Sequence, residues 1–172
     1  GRVHVLRLEL HVDGPEDGES QSPIPLSAWG LLGRVLEGEL ASLYPEIVRY
    51  GTVELSVTML GPDEMRSVNR EYRERDEATD VLSFPLWEAD GHFVPDGALT
   101  ELLPLGDILI CPEEVARLHE GLPPEDALCL VLAHGFLHLL AWDHDTEERE
   151  SAMWARQDAV KQRLLDVLRG GH

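Results

Sequence analysis

Cysteines and basic residues are both scarce in this chain. The two cysteines, Cys111 and Cys129, have no CxxC spacing, which argues against a thiolate zinc site or a disulfide framework and predicts buried thiols in a reducing compartment. Lys and Arg number 14 against 33 Asp and Glu, so the formal net charge is −19 and no general polyanion-binding surface is expected. Any contact with a nucleic acid would therefore have to be local.

Long apolar runs are absent as well. The stretch GRVHVLRLEL at the start lacks the apolar segment of a secretion signal, and about 18 consecutive apolar residues occur nowhere. We therefore expect a soluble cytoplasmic protein with no membrane segment. The 172 residues, of which 43% are hydrophobic, suffice for one core, which predicts a single domain over residues 1–172.

Hydrophobic periodicity predicts interspersed strands and helices. Apolar and polar residues alternate over residues 6–12 and 52–60, as they do in half-buried strands. The apolar runs VLSFP (81–85) and LGDILIC (105–111) are typical of central strands, and residues 87–104 between them are predicted to form a surface excursion. This mixture favours an α+β or mixed α/β layered architecture.

Helical spacing occurs in five further segments. Ser27 and Asp63 are the expected N-caps of the first two, and a short third helix is expected from Pro112. The second helix carries three apolar residues, Met65, Val68 and Tyr72. From about Pro124 the fourth segment is apolar nearly all round, which predicts a buried central helix. The last helix, about residues 147–168, has an inner stripe of Met153, Trp154, Val160, Leu164 and Val167.

Three histidines recur at positions i, i+4 and i+10 in the stretch HGFLHLLAWDHD. On a helix His134 and His138 share one face, with Cβ atoms about 5–6 Å apart, so both rings can reach one metal ion. A continuous helix would carry His144 roughly 9 Å further along the axis, so the helix must end near Ala141. A left-handed turn at Ala141 costs about 1–2 kcal/mol, and Asp143 is the alternative residue for the strained angle.

A shared metal ion is favoured over two buried core histidines followed by an unrelated surface one. An imidazole buried without a partner costs on the order of 1–3 kcal/mol, and one ion would remove that cost for all three rings. The other histidines are expected to be solvated or incidental: His4, His11, His92, His119 and His172.

The predicted cofactor is one Zn²⁺ ion on three neutral imidazoles. This arrangement leaves one tetrahedral position open for a water whose pKa falls to near 7, so the site is expected to be hydrolytic. Gly135 stands where HExxH metalloproteases carry their glutamate base, which argues against peptidase activity. Hydrolysis of an ester or a phosphodiester requires in addition a cation that offsets the charge of the transition state.

The densest basic stretch lies upstream, at Arg66 and in NREYRERDEATDVLSFP (69–85). Its arginines suit a phosphate, because a guanidinium can bind two phosphate oxygens at once. Composition alone favours the alternative, a solvated helix face on which acids pair with the arginines. The arginines are Arg66, Arg70, Arg73 and Arg75, and the acids are Glu71, Glu74 and Asp76.

These segments together resemble a known family. HGFLHLLAWDHD, NREYRERDEATDVLSFP and LGDILICPEE are similar to motifs of the YbeY-type endoribonucleases, and only Ala141 departs from the histidine motif, where Gly is usual. The resemblance implies that His134, His138 and His144 are zinc ligands and, with the functionally required Arg73, form the catalytic set. It implies mainly structural roles for Asn69, Thr79, Asp80, Ser83 and Pro85.

The resemblance also implies a fold, an activity and partners. The fold is α+β, with a small mixed four-stranded sheet covered by about five helices and a buried central helix that carries the metal motif. The activity is metal-dependent, single-strand-selective cleavage of RNA in rRNA maturation, notably at the small-subunit 3′ end, and in ribosome quality control. The partners are ribosomal RNA and ribosomal particles. Because the surface is acidic, basic ribosomal proteins or a ribosome-associated GTPase would deliver the RNA.

Two other functions are compatible with the sequence. One is a non-catalytic ribosome assembly factor whose zinc is structural, and the other is a metal-dependent hydrolase of another substrate, against which Gly135 counts. Asp143 or Asp145 is a candidate for orienting a ligand imidazole, although exposed acids beyond a helix end are the simpler interpretation.

Overall fold

The computed structural model describes residues 5–14, 22–96 and 102–170. These ranges contain two 3₁₀-helices, Leu26–Ala28 and Pro45–Tyr50, together with six strands and five α-helices. The strands are β1 Arg7–Asp13, β2 Thr52–Met59, β3 Val81–Pro85, β4 Glu88–Ala89, β5 His92–Phe93 and β6 Leu102–Ile110. The α-helices are α1 Trp29–Leu43, α2 Pro62–Arg73, α3 Pro112–Leu118, α4 Pro124–Leu139 and α5 Glu147–Leu168. In the part of the chain described, no helix has the length and apolar character needed to cross a membrane.

Four strands form one mixed sheet in the order β1-β2-β6-β3. The first three are parallel, and β3 pairs antiparallel with β6 at the edge of the sheet. The alternation in β2 leaves Val53, Leu55 and Val57 fully buried, as the period of two predicts. The predicted α+β class with a mixed four-stranded sheet is therefore confirmed.

The buried central helix is α4, and most of its residues are buried. It packs against β3, β6 and α5. Gly135 allows this close approach, because a Cβ atom there would lie 3.0 Å from Ile108 Cγ2 and 3.1 Å from Ser83 Oγ. The helix therefore carries its histidines to the sheet edge formed by β3.

Both predicted N-caps are wrong. Ser27 lies inside a 3₁₀-helix, and α1 has Ala28 as its N-cap with no side-chain hydrogen bond. Asp63 lies in the first turn of α2, which begins at Pro62 after Gly61. Proline at the first helical position fixes the starting φ and removes one N–H that would need a cap, so the helix begins one residue before the predicted cap.

The predicted surface excursion at 87–104 contains more regular structure than expected. Strands β4 and β5 form an antiparallel hairpin, and the last residues of the excursion belong to β6. Pro104 interrupts the apolar run, so the sequence concealed the start of β6. In the structure the register between β2 and β6 shifts at this point, opposite Glu54 and Leu55. Residues 97–101 lie outside the described ranges.

Two aromatic residues that periodicity grouped with buried neighbours are exposed. Tyr72 on α2 is 61% exposed, and Trp154 on α5 is 43% exposed. The cysteines follow the prediction, since Cys111 and Cys129 are free and buried. Burial raises the pKa of the Cys129 thiol to about 12, so this side chain is an inert part of the core.

Candidate metal centre

The three histidines of the motif come together in the folded chain. One nitrogen from each ring of His134, His138 and His144 lies within 4.8 Å of the others. The Nε2 atoms of His134 and His138 are 3.0 Å apart. Two nitrogens on a tetrahedral zinc with bonds of about 2.0–2.1 Å are about 3.3 Å apart, so this donor set fits one such ion. His144 is exposed, whereas the other two rings are half-buried.

A left-handed turn at the end of α4 brings His144 back to the other two rings. Ala141 has φ of 68°, its N–H donates to the His138 carbonyl, and the Trp142 N–H donates to the Leu137 carbonyl, both at 3.0 Å. These two bonds form a Schellman motif, which normally has glycine at the left-handed position. The helix ends where the sequence predicted, but the suggestion that Asp143 takes the strained angle is wrong.

Burial keeps the two half-buried imidazoles neutral, which is the form that binds metals. Burial lowers the pKa of His134. Burial, with repulsion from His134, lowers the pKa of His138 to about 4. A neutral imidazole keeps one ring nitrogen free of a proton, so each of these two rings can offer a ligand atom at neutral pH.

Gln157, on α5, orients the ring of His134. Its Oε1 lies 2.6 Å from His134 Nδ1, and because an amide oxygen only accepts, Nδ1 carries the proton and Nε2 is free. The candidates suggested by the sequence do not have this role. Asp143 accepts from the backbone N–H of His144 at 2.7 Å, and Asp145 pairs with Arg149 at 3.1 Å.

Sequence reasoning missed Gln157 because its partner lies 23 residues away. One signal was present. Gln157 falls between Met153 and Val160 on the inner face of α5 and is only 8% exposed, so a polar side chain stands where the helical period calls for an apolar one. A polar residue in such a position requires a buried hydrogen-bond partner.

Arg73 lies at the same cavity as His134 and His138. The cavity, of about 450 Å³, is lined by residues that include Arg73, Asp80, His134, His138, Asp143 and Arg149. Arg73 is the last residue of α2, and its Nη2 donates to the carbonyl of Ser83 on β3 at 2.9 Å. The guanidinium also lies over the ring of Phe84, 5.4 Å from its centroid. The side chain thus reaches the cavity at the edge strand.

The other arginines of the basic stretch are paired with acids. Arg66 and Arg70 lie 2.9 and 3.7 Å from Asp76, and Arg75 lies 3.9 Å from Glu77. Across the three described ranges, Arg73 takes part in none of the ion pairs. Pairing of exposed arginines with acids is therefore the right interpretation for Arg66 and Arg70 on α2 and for Arg75 beyond its end, and Arg73 alone of the four lines the cavity.

Comparison with known proteins identifies the family. The family model described as endoribonuclease YbeY matches residues 34–165. The endoribonucleases YbeY of Staphylococcus aureus strains JH9 and Newman are each 41% identical over 109 residues, which cover 62% of this chain and 70% of theirs. The chain belongs to the YbeY endoribonuclease family. The solution structure of TM1509 from Thermotoga maritima has the same fold, with a TM-score of 0.59, 25% identity and coverage of 94% of this chain and 93% of that one.

Arg149 stabilises the left-handed turn at Ala141. Its Nη2 donates to the carbonyl of Ala141 at 2.8 Å and to that of Gly91, in the β4–β5 hairpin, at 3.2 Å. Its Nη1 pairs with Asp145. One guanidinium thus joins the left-handed turn, the hairpin and the start of α5, a contact that no local pattern in the sequence indicates.

Most of the upstream YbeY motif makes contacts within the fold. Asn69 donates to the Glu77 carbonyl at 2.9 Å, and Ser83 donates from its hydroxyl to the Gly135 carbonyl at 3.1 Å. These bonds fix the loop after α2 and the packing of β3 on α4. Ser83 and Pro85 also line the cavity, so this part of β3 both packs on α4 and faces the site.

Asp80 joins the motif to α3. It accepts from Thr79 and from the backbone N–H of Val81, and its Oδ2 lies 2.9 Å from His119 Nε2. The expectation that His119 is a solvated, incidental histidine is therefore wrong. Its ring is about one quarter exposed and ties the end of α3 to the loop before β3.

Proposed function

We propose that this chain is a zinc-dependent endoribonuclease that cleaves single-stranded ribosomal RNA, in small-subunit 3′-end maturation and in ribosome quality control. The observation that carries the proposal is the convergence of three imidazole donors, two of which, His134 and His138, line a cavity that Arg73 also lines. Membership of the YbeY endoribonuclease family supports RNA as the substrate class. We assign the whole chain to a single catalytic domain that acts in the cytoplasm.

The donor set favours zinc. Three imidazole nitrogens suit Zn, Ni, Cu or Fe, and a tetrahedral ion without ligand-field preference best matches three converging nitrogens and one open position. When bound, zinc supplies Lewis-acid activation of a water and of a phosphoryl oxygen. His134, His138 and His144 would hold it.

The protein's own groups perform the remaining tasks. The guanidinium of Arg73 has five N–H donors, and one of them donates to the Ser83 carbonyl. The other N–H groups are available to hold the scissile phosphate and to offset the negative charge that develops on it. Gln157 keeps Nε2 of His134 unprotonated and aimed at the centre. Burial of His138 keeps it neutral, so the ligand set is preorganised.

The acidic surface sets the choice of partner. With a net charge of −19, the protein gains little affinity from the RNA backbone beyond the contacts at Arg73. The same charge suits docking on basic ribosomal proteins or on a ribosome-associated GTPase. We therefore expect faster cleavage of rRNA in ribosomal particles than of the same RNA free in solution, and equal rates would remove this part of the proposal.

The substitution Arg73→Glu tests the catalytic assignment. It should abolish RNA cleavage and leave the zinc content unchanged, because Arg73 contacts the backbone of Ser83 and not the histidines. Arg70→Glu is the matched control, since Arg70 lies on the same helix and pairs weakly with Asp76. If zinc is lost with Arg73→Glu, Arg73 has a structural role. If zinc-loaded wild-type protein cleaves no rRNA, an assembly factor with a structural zinc becomes the better account.

A further inference from the structure

Two exposed aromatic side chains lie near the candidate site, Trp154 beside the histidines and Tyr72 beside Arg73. Tyr72 and Trp154 are the aromatic members of the large hydrophobic residues that are exposed in the described part of the chain. Burying an aromatic side chain stabilises a fold, and an exposed ring contributes little of this free energy. Helical periodicity places Tyr72 and Trp154 in the same groups as core residues. Exposed hydrophobic side chains are common, so the position of these two rings beside the site, and not their exposure alone, carries the inference.

Trp154 stands beside the imidazoles. Its ring is 14° from parallel with the ring of His144 and 23° from parallel with that of His134, at centroid distances of 5.9 and 6.0 Å. The indole thus forms a flat surface next to the predicted zinc ligands, with part of it open to solvent.

Tyr72 stands beside the arginine. It precedes Arg73 in α2, and its ring meets Phe84 edge to face, with centroids 5.6 Å apart and planes at 76°. The Arg73 guanidinium lies over the same Phe84 ring. Phe84 thus supports both side chains, which places an exposed aromatic ring directly next to the group proposed to hold the phosphate.

We propose that Tyr72 and Trp154 stack on unpaired nucleobases of the RNA that flank the phosphate held at the centre. This inference rests on the proposed function, since it requires RNA at that cavity. A chain with a net charge of −19 cannot rely on phosphate attraction, whereas stacking on an aromatic ring needs no charge. Bases in a duplex already stack on their neighbours, so this mode of binding also selects single strands.

The test measures the contribution of the bases to binding. Zinc-loaded wild-type protein is titrated into a fluorescein-labelled oligoadenylate of about eight nucleotides, the size of a typical single-strand site, and into an abasic strand of equal length and charge. Electrophoresis verifies that each strand remains intact. We expect the oligoadenylate to bind more tightly by about 5- to 150-fold for each stacked base.

Substitutions assign that preference to the two rings. Tyr72→Ala and Trp154→Ala should each reduce the preference for the oligoadenylate by about 5- to 150-fold, while Tyr72→Phe and Trp154→Phe should retain most of it. Leu31→Ala is the matched control, because Leu31 is half-exposed on α1, which contributes no residue to the cavity. Zinc content is measured for the Trp154 variants, since that ring adjoins two ligands. A Trp154→Ala protein that keeps its zinc and loses the preference supports stacking.

Three results would overturn the inference: equal affinity for the oligoadenylate and the abasic strand, an unchanged preference in both alanine variants, or no binding of either strand. Cleavage of rRNA is measured separately. A wild-type protein that cleaves but has no base preference refutes the stacking alone. One that has the base preference but does not cleave refutes the proposed function alone.

Discussion

Ala141→Gly should stabilise the protein, contrary to the usual effect of replacing alanine by glycine. Ala141 has φ of 68°, a left-handed angle that costs a residue with a Cβ atom about 1–2 kcal/mol. Glycine removes that cost but adds about 0.5–1 kcal/mol of chain entropy lost on folding. The difference is a gain of between about 0 and 1.5 kcal/mol, centred near about 0.7 kcal/mol, or roughly 1–3 °C in Tm for a chain of this size.

The assay is urea and thermal unfolding of metal-free protein, so that changes in metal affinity do not enter. Ala155→Gly is the matched control, because Ala155 is exposed within the right-handed helix α5, where glycine should cost about 0.5–1 kcal/mol. The two substitutions should therefore have opposite signs. If Ala141→Gly destabilises the protein as much as Ala155→Gly does, the left-handed angle carries no strain, and the reasoning about this turn is refuted.

Two further predictions concern the ligand histidines. In metal-free folded protein the pKa of His138 is lowered from 6.5 to about 4, and that of His134 is also lowered. Between these pH values the unfolded chain therefore binds more protons than the folded chain. The contribution of the two neutral histidines to the free energy of unfolding is full above pH 6.5 and is lost as the pH falls toward 4. Urea unfolding as a function of pH should show this loss, and a slope that His138→Gln leaves unchanged would contradict it. Gln157→Leu should weaken zinc binding by about 10- to 100-fold in competition with a chromophoric chelator, because His134 loses the partner that fixes its tautomer. Unaltered affinity in that variant would mean that Gln157 does not position the ring.

Local patterns in the sequence predicted most of the fold and the centre of the site. The period of two in β2 and the nearly all-apolar surface of α4 report burial directly, because each depends on neighbours within the same element. The same holds for the histidines, where spacing and the reach of an imidazole require a helix end near Ala141. These features could be predicted because they depend on geometry within about ten residues.

Features that depend on distant segments could not be read in this way. Gln157 reaches His134 only because α5 packs on α4, and Arg149 reaches Gly91 only because the β4–β5 hairpin lies beside the turn. Periodicity says which residues share a helix face but not whether another element covers that face along its whole length. Trp154 is an example, because it belongs to the predicted inner stripe of α5 with Met153 and Val160, which are buried, and yet it remains exposed.

The central claim is that His134, His138 and His144 hold one metal ion on which RNA cleavage depends. The most direct test is metal analysis of protein purified without chelator, beside His138→Ala, with rRNA cleavage measured on both samples. The account predicts one zinc ion for each wild-type chain, together with loss of both zinc and cleavage in the variant. A wild-type chain without bound metal, or a His138→Ala protein that cleaves rRNA normally, would contradict it.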